Sequence, residues 1–166
     1  MGDSTNICLS CGCCCDGTMI GFVQLDPEEL PVLRDLVDVE NGNGEGFLLH
    51  PCKKFCDGCT IYSRRPKQCA LFKCELLKSV EQKELDFDSA VEIVDELKQR
   101  RITIEEKLAL LQIELPFQSF YFKMVGLKNL FQKSEPASLT QDHMALKSDL
   151  EQLDSLLSKR FGVPIL

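Results

Sequence analysis

The sequence contains no tryptophan, and aromatic residues make up only 7% of its 166 positions. Any core it builds must therefore be mostly Leu, Ile, Val and Phe. No uninterrupted apolar run approaches the 18 residues that a membrane-spanning helix requires. The first six residues, Met1-Gly-Asp-Ser-Thr-Asn6, lack the basic start and apolar stretch of a secretory leader, and Asn6 stands where N-myristoylation needs Ser or Thr. Positive charge is in deficit: 19 Lys and Arg face 26 Asp and Glu, for a net charge of −7. That balance argues against a nucleic-acid binder, because neutralising phosphates takes clustered cations. There is no G-x-S-x-G elbow, phosphate-binding loop or dinucleotide fingerprint, and no carboxylate pair stands out. Cysteine, finally, is missing from the whole second half.

Up to residue 74 the reverse holds. Ten cysteines lie at 8, 11, 13, 14, 15, 52, 56, 59, 69 and 74. Without a leader the expected location is cytoplasmic, where thiols stay reduced, and free thiols at this density characteristically hold metal. Buried structural cysteine is the alternative, but Cys13-Cys14-Cys15 cannot all point into one core. With 44% apolar residues the chain has enough for a real core, and its length suits one ordinary domain or a small domain with a helical extension. Charge divides it similarly. Residues 1–49 carry nine acids and one base, a net of −8; residues 50–78 carry seven bases and two acids, a net of +5. Cations among thiols lower their pKa values and offset the charge of a polythiolate site. The natural partition is a metal-binding module over 1–78 and a helical region over 79–166 packed on it, the two forming a single domain in the simplest case.

Periodicity gives the coarse structure. Residues 6–18 read as a ligand loop, too rich in Cys and Gly for a regular element. Ile20–Leu25 reads as a short strand, and Phe47–Leu49 as a second strand pairing with it across the Asn41–Gly46 turn. Between them a helix spans about 27–39, with Pro31 placing its regular start. Lys67 to about Val80 shows helical spacing at Ala70, Leu71, Cys74 and Leu77. A helix capped by Asp88 or Ser89 runs through Arg101. Thr103–Glu106 has the form of a capping box opening another, which stops near Pro116. Phe117, Phe120, Tyr121, Met124, Leu127 and Phe131 mark one face of the next, read as bundle core rather than a binding surface. Ser138–Gln141 opens a last helix to about Arg160, striped by Leu146, Leu150, Leu153 and Leu157. The fold class is thus mainly α: a small Cys-rich metal-binding module with at most a short β-hairpin, followed by a helical bundle.

The chemistry lies in the cysteine spacings. Cys8-x2-Cys11-Gly12 is a knuckle whose tight turn sets two sulfurs on one ion, with Gly12 free to take φ > 0. Cys14 and Cys15 adjoin, their side chains diverge, and they serve different metals or one large cluster more easily than one zinc ion. Cys52-x3-Cys56-x2-Cys59 supplies three more thiols, in the spacing also seen in radical-SAM enzymes, although the helical second half leaves no room for such a barrel. Cys69 and Cys74 stand about a turn and a half apart. His50 is an alternative ligand, set against the commoner satisfied loop histidine. His143 has no nearby partner in sequence and reads as solvent-facing. Arg65-Pro66 sets a turn, with Arg65 donating to a thiolate or a carbonyl, and Tyr62 either packs in the core or donates to a sulfur. We expect metal ligands drawn from both cysteine groups, because one ion would strain to take Cys14 and Cys15 along with Cys8 and Cys11. The helix near 27–39 should pack beside them.

The pattern Cys8-x2-Cys11-Gly12-x-Cys14-Cys15, followed by Cys59-Thr-Ile61-Tyr62-x2-Arg65-Pro66-x2-Cys69-x2-Phe72-x-Cys74, resembles the YkgJ-type cysteine-cluster family, described as a zinc- or iron-chelating domain. The match spans residues 8–74 and includes non-cysteine positions; residues 79–166 lie outside it. The resemblance implies Cys8, Cys11, Cys14, Cys15, Cys52, Cys59, Cys69 and Cys74 as metal ligands, with Cys13 and Cys56 as extras. Ala70 stands where the family often has Arg. The module is also similar to part of the flagellin lysine N-methylases. Eight thiolates make two tetrahedral zinc sites or hold iron–sulfur clusters. The knuckle favours zinc. The expected function is a metal-binding protein in which the metal is mainly structural, acting as a binding or accessory module with a protein partner on its helical region. An iron–sulfur redox or protein-modifying enzyme, and metal handling or transfer, are the alternatives.

Overall fold

A computed structural model describes residues 3–166, with side chains from Ile7 onward. Its first element overturns the ligand-loop expectation: residues Asp3–Cys11 form a helix, α1. Its last turn carries Cys8 and Cys11, and their i,i+3 spacing puts both sulfurs on one face. Gly12 ends it in the left-handed region (φ 64°), its N–H returning to the Cys8 carbonyl at 3.1 Å. A side chain there would also collide with the Phe55 ring, 2.6 Å from an added Cβ. The knuckle glycine is therefore a helix terminator.

Strands β1 (Phe22–Leu25), β2 (Val39–Gly42) and β3 (Glu45–Leu49) form an antiparallel sheet in the order β1-β3-β2. The expected β1–β3 pairing is present, with Phe22 opposite Leu49 and Leu25 opposite Gly46. The extra strand is β2, which pairs Val39 with Leu48. It reaches β3 through Asn43 (φ 52°) and Gly44 (φ 81°), the positive-φ pair that a tight two-residue hairpin demands. Helix α2 (Leu30–Leu36) is shorter than expected and packs Leu33 beneath the sheet, in a small core with Leu25, Val37, Leu48 and Ile61.

The expected helix from Lys67 to Val80 is two. Helix α3 (Lys67–Leu71) ends before Phe72-Lys73-Cys74, and α4 (Glu75–Glu81) begins afresh. Cys74 caps α4, its sulfur accepting the Leu77 N–H at 3.5 Å. Helix α5 (Phe87–Leu110) is capped by Asp86, one turn-step earlier than Asp88 or Ser89, with the Ser89 N–H on its carboxylate at 2.9 Å. The Thr103–Glu106 box does not open a helix; it lies inside α5. Burial of Ala90, Val94, Leu97, Ile104 and Leu108 runs straight through it, and that continuous stripe outweighs a local capping signal. The helix then stops at Leu110, well short of Pro116.

Helix α6 (Phe120–Lys133) buries Phe120, Met124, Leu127 and Phe131, as its spacing promised, whereas Phe117 lies before it and stays 41% exposed. Helix α7 (Gln141–Leu156) buries Leu146, Leu150 and Leu153. Its capping box pairs Thr140 with His143, not Ser138 with Gln141, so His143 has a partner after all: its Nδ1 lies 2.7 Å from the Thr140 hydroxyl. A π-helical turn, Leu157–Phe161, follows, in place of a regular helix to Arg160. These helices share the larger core, and Ile7, Cys13 and Met19 from the amino-terminal segment enter it too. The fold is mainly α with a small sheet. Among the described residues no helix is long and apolar enough to cross a membrane.

The candidate metal centre

The two charge segments meet as their signs suggest. Lys53 pairs with Asp38 at 2.8 Å and Lys67 with Asp26 at 2.9 Å. Both pairs are solvent-facing and screened by water and salt, so they steer the contact more than they hold it. Firmer anchoring comes from Arg101. It occupies a place on the buried stripe of α5, and its guanidinium reaches Asp16 at 3.2 Å and the Thr18 hydroxyl at 2.7 Å. The Tyr121 N–H, in the first turn of α6, donates to the Gly17 carbonyl at 2.8 Å. Helices α5 and α6 thereby fix the loop that carries Cys13, Cys14 and Cys15.

That loop, the last turn of α1, the segment after β3, helix α3 and the start of α4 surround one cavity of about 600 Å³. All eight thiols implied by the resemblance line it. Of the extras, Cys56 is exposed and away from it. Cys13 is wholly buried in the larger core, its thiol donating to the Cys11 carbonyl at 3.4 Å. The three consecutive cysteines thus differ in burial: all three border the cavity, but Cys13 is fully enclosed in the larger core while Cys14 and Cys15 are only partly buried. His50 also lines the cavity, 4% exposed, its Nδ1 buried without a hydrogen-bond partner. Burial lowers its pKa to about 4, so it is a neutral imidazole with a free donor position.

Several interactions prepare the sulfurs for negative charge. The backbone N–H groups of Lys54 and Ile61 reach Cys52 and Cys59, and Leu77 serves Cys74. Tyr62, whose ring lies 3.7 Å under the Arg65 guanidinium, donates its hydroxyl toward Cys8. Arg65 donates to the Tyr62 carbonyl at 2.6 Å, one of the two roles foreseen for it, and its charge draws down Cys8, Cys59 and Cys69. Against these stands desolvation. It holds Cys8 and Cys69 up at about 11 and raises Cys14, Cys52 and Cys74. Two thiols run the other way: a hydrogen bond from Cys15 brings Cys59 down to about 6, and one from Cys13 lowers Cys11.

The donor set suits a thiophilic ion: eight soft sulfurs, N–H groups directed at several of them, and one neutral imidazole left without a partner. Among the described residues, no group of three or more His, Cys, Asp or Glu side chains already stands in place to hold an ion. The fit therefore rests on donor chemistry and on convergence around the cavity. Comparison with family models, with curated proteins and with solved structures found no match.

The different surroundings of the two extra cysteines predict different phenotypes. Replacing Cys56 with Ser leaves both metal content and stability unchanged. Replacing Cys13 with Ser leaves metal content unchanged but puts a hydroxyl into a dry core, at a cost of about 1–3 kcal/mol. Elemental analysis paired with urea unfolding of the two variants checks this, and loss of metal from folded Cys13→Ser protein would make that residue a ligand.

Proposed function

We propose that this chain is a metal-binding cysteine-cluster protein, of the kind its motif resembles, in which metal ties the amino-terminal thiol loop and the sheet segment to the helical body. The observation that supports this reading is the meeting of eight thiols, from chain positions as far apart as Cys8 and Cys74, around a single cavity. Zinc is the favoured metal, and it would supply four-coordinate cross-linking with no redox chemistry of its own. Cys8, Cys11, Cys14, Cys15, Cys52, Cys59, Cys69 and Cys74 would hold it, four sulfurs to an ion, with His50 beside them as an alternative donor. Iron is the alternative for the same sulfurs. Anaerobic purification with elemental analysis and a visible spectrum decides between them: a colourless protein with saturated, chelator-resistant zinc supports the structural reading. Brown colour bleached by dithionite assigns an iron–sulfur centre, and rapid exchange with a weak chelator assigns metal handling.

The thiol pKa values give this reading a pH signature. Where burial holds a thiol above neutrality, the thiol is protonated at pH 7 and must lose its proton to ligate. Lowering the pH then favours the free form. Each thiol that ionises on binding makes the affinity fall about tenfold per pH unit. Zinc binding by the metal-free protein should therefore release several protons into weakly buffered solution at pH 7, and affinity should drop steeply toward pH 5. A pH-independent affinity would exclude a thiolate shell.

A further inference from the structure

The eight thiols do not form one undivided ring. Four of them, Cys8, Cys11, Cys14 and Cys74, pack against the larger core of the helices. Three others, Cys52, Cys59 and Cys69, pack against the separate small core under the sheet. The eighth, Cys15, belongs with those three: the Cys52 N–H donates to its carbonyl at 2.8 Å, and its thiol hydrogen-bonds Cys59. Each set has a local structural reason. Cys8 and Cys11 share one helix face on α1, which packs on α4, the helix that Cys74 caps. On the other side, Cys69 lies on α3, packed on β1 of the sheet whose β3 runs directly into the segment carrying Cys52.

Resting on the metal-centre reading above, we propose that these are two separate four-thiol shells: Cys8, Cys11, Cys14 and Cys74 take one ion, and Cys15, Cys52, Cys59 and Cys69 take a second. The diverging pair Cys14-Cys15 is the divide. The Gly12–Gly17 turn, closed by Asp16 N–H to the Gly12 carbonyl at 3.0 Å and Gly17 N–H to the Cys14 carbonyl at 3.3 Å, presents Cys14 to the larger core and Cys15 to Cys52 and Cys59. Electrostatic neighbours agree with the division: the thiols acting most on Cys8 are Cys74 and Cys11, those acting most on Cys69 are Cys52 and Cys59, and Cys14, at the divide, is acted on by Cys69 as well as by its own set. Charge is shared in the same way. Lys98, anchored on the Ser10 carbonyl at 2.9 Å, faces Cys11 of the first set, Lys53 faces Cys52 of the second, and Arg65 faces members of both. Each shell also draws on both halves of the cysteine pattern, so neither could be completed by residues 8–15 alone.

Titrating the metal-free full-length chain with Co(II), followed through its visible d–d and thiolate charge-transfer bands and checked by elemental analysis after Zn(II) replacement, tests this. Two ions per chain are expected. Cys74→Ser and Cys59→Ser should each reduce the content from two ions to one, and the double variant should bind none. Because a variant can fail to fold, the wild-type chain carries a second measurement: alkylation with one equivalent of Zn(II) present, read by mass spectrometry. Protection should appear in blocks of four, with Cys8, Cys11, Cys14 and Cys74 protected together and Cys15, Cys52, Cys59 and Cys69 together. A single ion per chain, or uniform protection of all eight thiols by one equivalent, would overturn the two-shell division while leaving the metal-centre reading intact. Binding of no Co(II) or Zn(II) at all would overturn that reading, and the division with it.

Discussion

Removing the metal is expected to unfold residues 22–74 and loosen residues 8–20, while α5, α6 and α7 keep their helical structure. The asymmetry follows from where apolar burial lies. The sheet segment has only five fully buried apolar residues of its own, Leu25, Leu33, Val37, Leu48 and Ile61. A core that small does not suffice for a segment of about 50 residues to fold on its own. A structural zinc contributes about 10–16 kcal/mol of apparent free energy in peptides, and classical zinc fingers are unfolded without it. Residues 8–20 are an intermediate case, because Ile7, Cys13 and Met19 belong to the larger core and Arg101 holds Asp16 and Thr18. The helices have the rest of that core, from Leu76 to Ile165, and no thiols after Cys74. Hydrogen exchange of the chelated and reloaded protein measures this segment by segment. Unchanged amide protection over 22–74 without metal would show that the metal is not structural.

The parts of this fold that sequence made legible are those set by local periodicity or by a single residue's backbone demand. The buried faces of α6 and α7 could be read from their 3-4 spacing, and the turn within Asn41–Gly46 from its composition, although not the strand β2 that enters it. Where two local signals competed, the one tied to burial won. At Thr103 a good capping sequence lost to an apolar stripe that ran through it, and a helix expected to break stayed whole. Around Cys74 the opposite happened: helical spacing was unbroken, yet the chain bent so that Cys69 and Cys74 could join different cores. Helix α1 was hidden because Cys and Gly density imitates a loop. The divergence of Cys14 and Cys15 was foreseen from their adjacency. Which other thiols each would join was not, since that depends on the separation of the two cores. Arg101 gave no signal at all, being one charged residue on a long helix whose importance comes from a loop 85 positions earlier.

Replacing Phe120 with Ala should cost the metal-loaded protein about 3–5 kcal/mol, the range for deleting a fully buried ring. The ring is 1% exposed and sits in the larger core. Its effect should exceed simple cavity formation in one respect, because Phe120 lies at the junction of everything that fixes the thiol loop. The Arg101 guanidinium lies 5.1 Å from the ring centre, and on either side Ser119 caps α6 while Tyr121 donates its N–H to Gly17. Emptying this position lets the first turn of α6 and the Arg101 side chain relax together, so the loop bearing Cys14 and Cys15 loses its footing on both. Against a typical total of about 5–15 kcal/mol, the loss is a large fraction of the stability. Phe117→Ala, three residues earlier, is the internal control. Its ring is half-exposed and tilts against Phe122 at 6.3 Å, so its removal should cost no more than about 1 kcal/mol. Urea unfolding of both variants, each checked for metal content before the titration, separates the two. If Phe120→Ala cost as little as Phe117→Ala, the loop would have to be held by the metal alone, and the anchoring role assigned to α5 and α6 would be lost.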